Sequence, residues 1–476
     1  MSDAIATPTF AVVGHPNKGK SSIVATLTEN QRVDIGATPG TTYKADHFEF
    51  VAGNQVLYTL VDTPGFQRAG QVMEWLQANS DDASQRRSAV QRFVEAHRGD
   101  DKFIDECELL TPLLEGAGIL YVVDGAKPYG PEYELEMQIL QWTGQPRMAL
   151  INRIGEGDYR DEWIQALGQY FSIARSFDAM QADFPARISL LRAFGELHAP
   201  WRASLDAAVA ILEQQRTHQM ERSVREVCDL LCDSVSESLE EAVPDNQGSH
   251  WVDERKHALM DKLQAKLVKR EQRARNRVLG IYSHDLTEAN EAELKFLQAD
   301  LFAEETWELF GLSRIQLAAT GGVSGALAGG GLDLLVGGSS LFAGSLGGAV
   351  VGSLGAWFGS SELAKVKVLG RSLGGDVLRV GPVSSKNFPW VLLGRAWAHW
   401  RIISERNHAV RNAIEAEILQ FHQEGVNTLD VRSRSKLESK FSQLRDGKDS
   451  RDLRDQLYEE LLPLFNSNKL GPGEGS

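Results

Sequence analysis

At 476 residues the chain is long enough for about two or three domains, and a composition of 42% hydrophobic and 24% charged residues suits folded ones. A net charge of −15 argues against broad binding to naked duplex nucleic acid, which needs a basic face; one local basic stretch stands out at 262–277. Cys107, Cys228 and Cys232 are too few for a disulfide framework, and the last two, four apart on an expected helix, read as reduced helix-face thiols.

In chain order, the start MSDAIATPTF lacks the basic and apolar pattern of a secretory leader, so the N-terminal domain is expected in the cytoplasm. A short apolar strand over 10–14 runs into a Gly-rich loop that opens a helix. Residues 45–51 and 55–61 alternate as a β-hairpin, and 73–117 reads as a large helical insertion. Apolar strands at 118–123 and 147–151 flank a helix at 133–142, an alternation that predicts a mostly parallel α/β sheet.

From about residue 190 the pattern becomes helical, with long amphipathic helices at 202–239 and 250–278 and an acidic helix at 286–310. The segment 315–361 has Asp333 as its one ionisable residue. It divides there into two apolar halves, each near the roughly 20 residues that span a bilayer. Glycines recur every fourth residue at Gly321, Gly325 and Gly329 and again at Gly344, Gly348 and Gly352, a spacing that lets helix backbones approach closely. A membrane-inserting helical hairpin, a buried hairpin within a bundle and a structural loop all remain open for it. Beyond it, 365–383 reads as a β-hairpin turning at Gly374 and Gly375, and 388–423 and 434–465 as helices. Trp390, Trp397 and Trp400 are expected in a core rather than in an interfacial belt.

The loop GHPNKGKSS, 14–22, has the GxxxxGKS spacing of a phosphate cradle between a strand and a helix. Its residues Gly14, Asn17, Lys18, Gly19, Lys20, Ser21 and Ser22 are candidates for nucleotide binding. Backbone N–H groups would wrap the β-phosphate, Lys20 would neutralise β/γ charge and Ser21 would ligate Mg²⁺. DTPG, 62–65, ends a strand: Asp62 would hold the magnesium, and Gly65 would offer its N–H to the γ-phosphate. Between the two lies ATPGTTYKAD, 37–46, from which Thr42 is the expected nucleotide-sensing Mg²⁺ ligand and Thr41 the alternative. Lys20, Thr42 and Gly65 are the expected catalytic set.

These three motifs in this spacing resemble the TrmE/Era/Der class of bacterial GTPases over roughly the first 180 residues. The resemblance implies guanine-nucleotide binding, a K⁺ held beside the phosphates by Asn17, and slow intrinsic turnover, because Phe66 stands where a water-positioning Gln is found in Ras-like enzymes. It also locates the base-reading motif at INRIGEGD, 151–158, where Asn152 is kept and the base-reading Asp is absent. Glu156, Asp158 or the loop Arg175-Ser176-Phe177-Asp178-Ala179 would compensate, with Asp178 and Ala179 as the candidates. Over nearly the whole chain, LFGLSR (309–314), LAGGGLDLLVGGSSLFAG (327–344) and NFPWVLLGRAWAHWR (387–401) resemble a bacterial family that joins such a G domain to a C-terminal region of unknown function.

The expected architecture is an α/β P-loop NTPase domain at 1–185 with a mostly parallel sheet, followed by a mainly α-helical part. That part comprises a stalk at 190–311, a Gly-rich apolar helical hairpin at 312–361, a β-hairpin with C-terminal helices at 362–466, and a disordered tail at 467–476. The expected function is a GTP-binding, GTP-hydrolysing switch coupled to a membrane-associating helical domain, peripheral or integral at the bacterial inner membrane. The alternative is an RNA-related GTPase in tRNA modification or ribosome assembly. Expected partners are GTP and GDP, membrane lipid or a membrane protein, RNA under the alternative, and a second copy of the chain. The basic residues at 262–277 form a helix face suited to anionic headgroups or RNA phosphates, or one balanced by the acidic helix within 288–308.

Overall fold

The computed structural model describes residues 7–28, 46–52, 55–179, 182, 184–244, 248–282, 301–302, 362–368, 371–404 and 430–466. They belong to two compact units, the first continuing to Arg216 and the second beginning at Thr217.

In the first unit, β1 (Thr9–Val13), β2 (Asp46–Ala52), β3 (Gln55–Asp62), β4 (Gly118–Asp124), β5 (Arg147–Asn152) and β6 (Ile173–Ser176) form one sheet in the order β2-β3-β1-β4-β5-β6. Only β2 runs antiparallel to its neighbour. A parallel sheet covered on both faces needs strands apolar throughout, and every residue of β4 is buried. The helices are α1 (Lys20–Thr28), α2 (Ala69–Ala78), α3 (Arg86–His97), α4 (Ile104–Leu114), α5 (Glu132–Trp142), α6 (Arg160–Leu167) and α7 (Phe184–Leu197), and then the start of α8 (Arg202–Ser236).

The unit extends past 185 because α7 and the start of α8 complete one side of its core. Phe10 of β1 stacks on Phe194 at 4.2 Å and meets Trp201 edge-on at 5.0 Å, and Leu205 and Ala208 join the same cluster. On the opposite side, α2, α3 and α4 form the predicted insertion. Its aromatic centre is Trp75, Phe93, His97 and Phe103, with Phe66 in the same cluster.

The second unit holds the rest of α8, then α9 (Ser249–Ile281), α10 (Phe388–Ser404), α11 (Val431–Arg445) and α12 (Arg451–Asn466). It also carries an antiparallel sheet of β7 (Leu239–Ala242), β8 (Glu362–Val368) and β9 (Arg371–Val380) in the order β7-β9-β8. Three expectations change here. First, the stretch read as helical over 434–465 is broken at 446–450 into α11 and α12. The β8–β9 hairpin reverses between Val368 and Arg371, and Gly374 and Gly375 lie inside β9. Lys365 pairs with Asp376 while Lys367 pairs with Ser372, so the glycines occupy the extra residues of a bulge, which they relieve as readily as a turn. The helix expected to reach 239 stops at Ser236, and Leu239–Ala242 becomes an edge strand on β9.

Trp390, Trp397 and Trp400 are buried, as expected, and each indole N–H has an acceptor: Glu438 Oε2, the Leu464 carbonyl and the Tyr282 hydroxyl. Between α9 and α10, Arg395 and Glu271 form an ion pair at 2.6 Å, 1% and 2% exposed. All three cysteines are buried free thiols. Thr41, Thr42, the hairpin at 312–361 and the tail at 467–476 lie outside the described residues, as does the acidic helix expected at 286–310 apart from Leu301 and Phe302, which form a turn. No helix among the described residues is long and apolar enough to cross a membrane.

Candidate functional site

The phosphate loop leaves the buried strand β1 and enters α1 through two left-handed residues, Asn17 at φ 62° and Gly19 at φ 82°. A Cβ on Gly19 would come within 2.3 Å of Asn152 Nδ2, so this position needs glycine for space as well as for dihedral. Lys20 points back under the loop and donates to the carbonyls of Gly14 and His15 at 3.2 and 3.3 Å. Burial lowers its pKa below the ordinary 10.5, while Asp62 and Glu136 nearby pull it upward. Asn17 is exposed at the tip of the loop, and Lys18 is buried with its ammonium 5.5 Å from the Tyr133 ring centre.

Asp62 closes β3, beside β1 in register, and is 4% exposed. The Ser21 hydroxyl donates to Asp62 Oδ2 at 2.7 Å. A hydroxyl and a carboxylate held together beside a buried ammonium are hard oxygen donors of the kind that suits Mg²⁺, so the residues fit that ion. Ser22 lies one residue on in α1, and its carbonyl accepts from the Thr26 hydroxyl at 2.8 Å. Thr63, fully buried, donates to the carbonyl of Val12 at 2.8 Å. Gly65 packs on the phosphate loop so closely that a Cβ there would be 2.6 Å from Pro16. Phe66 turns into the core and so brings no polar side chain toward the loop, and Gln67 after it is exposed.

Asn152, 2% exposed at the end of β5, ties three segments together. Its Nδ2 donates to the Lys18 carbonyl at 3.1 Å, and its Oδ1 accepts from the Ala179 N–H at 3.1 Å. The Ala179 carbonyl in turn accepts from Thr26 on α1 at 2.9 Å. The candidates Asn152 and Ala179 thus meet at the phosphate loop, with Asp178 half-buried one residue before Ala179. The two other acids considered for base reading are differently engaged. Asp158 accepts from the N–H of Arg160 at the start of α6 at 3.3 Å, and Glu156 is exposed. Arg153 folds back, giving its guanidinium to the carbonyls of Gly155 and Glu156.

Three carboxylates at this site escaped the sequence reading. Asp124, 2% exposed at the end of β4, accepts from the N–H groups of Ala126 and Ile154 at 3.1 and 3.4 Å. Its place after an apolar strand is the same signal that marked Asp62. Glu136 on α5, also 2% exposed, faces His15 Nδ1 at 2.9 Å and accepts from the Tyr121 hydroxyl at 2.8 Å. Burial and then Glu136 hold the Tyr121 pKa well above its usual value. Glu106 on α4, 1% exposed, accepts from the N–H groups of Gln67 and Arg68 at 3.0 and 2.6 Å. Nothing in the sequence distinguishes Glu106 and Glu136 from surface helix acids.

Comparison with known proteins bears on both parts of the chain. Residues 165–462, well over half the chain, match the family described as Domain of unknown function (DUF3482). The chain belongs to the DUF3482 family. Ahead of that region and separate from it, residues 9–153 match the family described as 50S ribosome-binding GTPase, so this DUF3482 member carries a GTPase-type domain at its N-terminal end. The GTPase Der of Cupriavidus taiwanensis is 48% identical over 65 residues, covering 14% of this chain and 14% of that protein. The Der proteins of Azoarcus sp. and Nitrosomonas europaea are 46% and 43% identical over 69 and 67 residues, again 14% of this chain. The chain thus spans about 14–15% of the length of these curated relatives. Among solved structures, a variant of Aquifex aeolicus Era bound to GDP and AlF4⁻ aligns at 18% identity, with a TM-score of 0.26, over 36% of this chain and 51% of that one. Era in complex with MgGDPNP and nucleotides 1506–1542 of 16S ribosomal RNA aligns over the same shares at 18% identity with a TM-score of 0.25.

Proposed function

We propose that the first unit is a GTP-binding, GTP-hydrolysing switch whose state is read out by the helical region. The observation that carries this reading is the Ser21–Asp62 contact beside the buried Lys20, at the C-terminal ends of two parallel strands. Lys20 exchanges its two carbonyl partners for the β- and γ-phosphates, and the loop amides after Gly14 wrap the β-phosphate. Gly65 meets the γ-phosphate from the far side of Pro16. Ser21 and Asp62, with Thr42, would hold Mg²⁺, which when bound supplies charge neutralisation on the β/γ-phosphate oxygens. The exposed amide of Asn17 is the proposed K⁺ ligand. With Phe66 in the core, no side chain from 66 orients a water, so turnover is slow and responds to K⁺. Asn152 shapes the base end, with Ala179 and Asp178 beside it.

The test is phosphate release by the full chain with GTP or ATP, in potassium and in sodium buffer, with Lys20→Ala as the blank. Potassium-stimulated release from GTP above the blank is expected. No release with either nucleotide in either salt removes the enzymatic reading.

Two outputs are proposed for the switch. The description of the matching family as a 50S ribosome-binding GTPase favours RNA or the ribosome as the partner, through the exposed cations of α9. The composition of 315–361 favours association with the inner membrane. Vesicle co-sedimentation that is lost on deleting 312–361 supports the membrane output. Salt-sensitive RNA retention without vesicle binding supports the other.

A further inference from the structure

We infer that Glu106, on the inserted helix α4, is a positioning residue for γ-phosphate recognition; this rests on the GTP-binding reading above. The segment 63–68 is pinned at each end. At its start, the Thr63 hydroxyl is bonded to Val12, and Gly65 lies on Pro16 with no room for a side chain. At its other end, α2 begins without a side-chain cap from Arg68. Glu106 fills that role from outside, one carboxylate oxygen accepting from the consecutive N–H groups of Gln67 and Arg68. An acceptor at a helix N-terminus satisfies orphan donors and complements the helix dipole. Arg68 adds a second tie by donating from Nε to the Lys102 carbonyl at 3.1 Å, and Phe66 between them is buried.

A carboxylate 1% exposed, far in sequence from the loop it holds, specifies where Gly65 stands against the phosphate loop. Gly65 is also the point of 63–68 that reaches the phosphate loop. Releasing Gln67 and Arg68 therefore frees Gly65 to drift from Pro16, while the Lys20–Ser21 side of the site is untouched. The consequence is specific to the third phosphate: Glu106 acts on triphosphate binding and leaves diphosphate binding alone.

The test measures GTP and GDP affinity by competition for the full chain and for Glu106→Ala and Glu106→Gln. Amide exchange at Gln67 and Arg68 is followed in the nucleotide-free proteins. Glu106→Ala is expected to weaken GTP by about tenfold while GDP stays within about twofold, with both amides exchanging at least about tenfold faster. Glu106→Gln, which keeps an acceptor oxygen, is expected to restore most of the GTP-to-GDP ratio. An unchanged ratio in Glu106→Ala, or an equal loss for both nucleotides, overturns the proposal and leaves a purely structural carboxylate. A wild-type chain that binds neither nucleotide is a different result, which removes the switch reading along with this inference.

Discussion

Asn152 offers the sharpest test of how the phosphate loop is held. Replacing it by Ala removes one donor and one acceptor, leaving the Lys18 carbonyl and the Ala179 N–H without their partner in a place where the side chain is 2% exposed. Each stranded backbone group costs about 1–3 kcal/mol, so Asn152→Ala should cost about 2–6 kcal/mol, felt locally at the loop and at 177–179. Asn152→Asp separates the two contacts: the carboxylate still accepts from Ala179 but faces the Lys18 carbonyl with a second acceptor. Amide exchange in the full chain reads the effect directly. In Asn152→Ala the Ala179 N–H should exchange more than about tenfold faster, and nucleotide affinity should fall by at least about tenfold. In Asn152→Asp the Ala179 amide should stay protected while affinity still falls. Unchanged exchange at Ala179 in the alanine variant would refute the bracing argument.

Three further outcomes follow from the same geometry. Gly155 has no positive φ, and a Cβ there meets only the Ala126 methyl, at 3.4 Å, so Gly155→Asp should fold normally. It should raise the preference for GTP over ITP by about tenfold in a competition assay, because a carboxylate is added for the 2-amino donor. Lys20→Met should abolish nucleotide binding yet stabilise the nucleotide-free protein against urea. The buried ammonium has its pKa lowered by desolvation, so the unfolded chain binds its proton more tightly and the folded state loses stability as pH falls below 10.5. In the second unit, burial and then Arg275 push His399 down to about 3. The unfolded chain takes up that proton first, so stability should fall as pH drops from 6.5 towards 3, and His399→Leu should flatten that part of the acid-unfolding profile.

Much of the fold was legible because the signals were local. The apolar strands ending in Gly14, Asp62 and Asn152 announce both the sheet and the side of it where the site lies, and the polar three-and-four pattern after Met73 announces the insertion. The misreadings came from pairings that the local pattern does not carry. Gly374 and Gly375 carry a turn signal, yet β9 continues through them because β8 accommodates the extra residues. The helical pattern read through Leu239 gives way to the strand Leu239–Ala242 because β9 offers an edge. The missed carboxylates share this cause. Glu106 and Glu136 look like solvated helix acids until α4 and α5 are laid against the loops they serve, 38 and 121 residues away in sequence.

The basic stretch on α9 shows how tertiary pairing changes the meaning of charge. Six cations read from the sequence as one face suit an anionic partner or a face balanced by acids within the chain. In the second unit, Arg270 is bonded to Glu226 and Asp233, Arg277 to Glu226, and Lys266 to Glu237. Among the described residues, the balancing acids are Glu226 and Asp233 on α8 and Glu237 just after it. Lys262, Lys269 and Arg273 keep no acidic partner among the described residues. At about 1 kcal/mol per basic residue near an anionic surface, three cations supply roughly half of what six would. For the proposed anionic partner, such a face would act in steering and orientation. Charge reversal at Lys262, Lys269 and Arg273 together should therefore lower the salt dependence of RNA or vesicle binding without abolishing it at low salt. The same reversal at Lys266 and Arg270 should mainly destabilise the second unit, because it breaks ion pairs and sets acids against acids. If reversing Lys266 and Arg270 instead removed binding while leaving the fold as stable as before, the internal pairing seen on α8 would not be what governs this face.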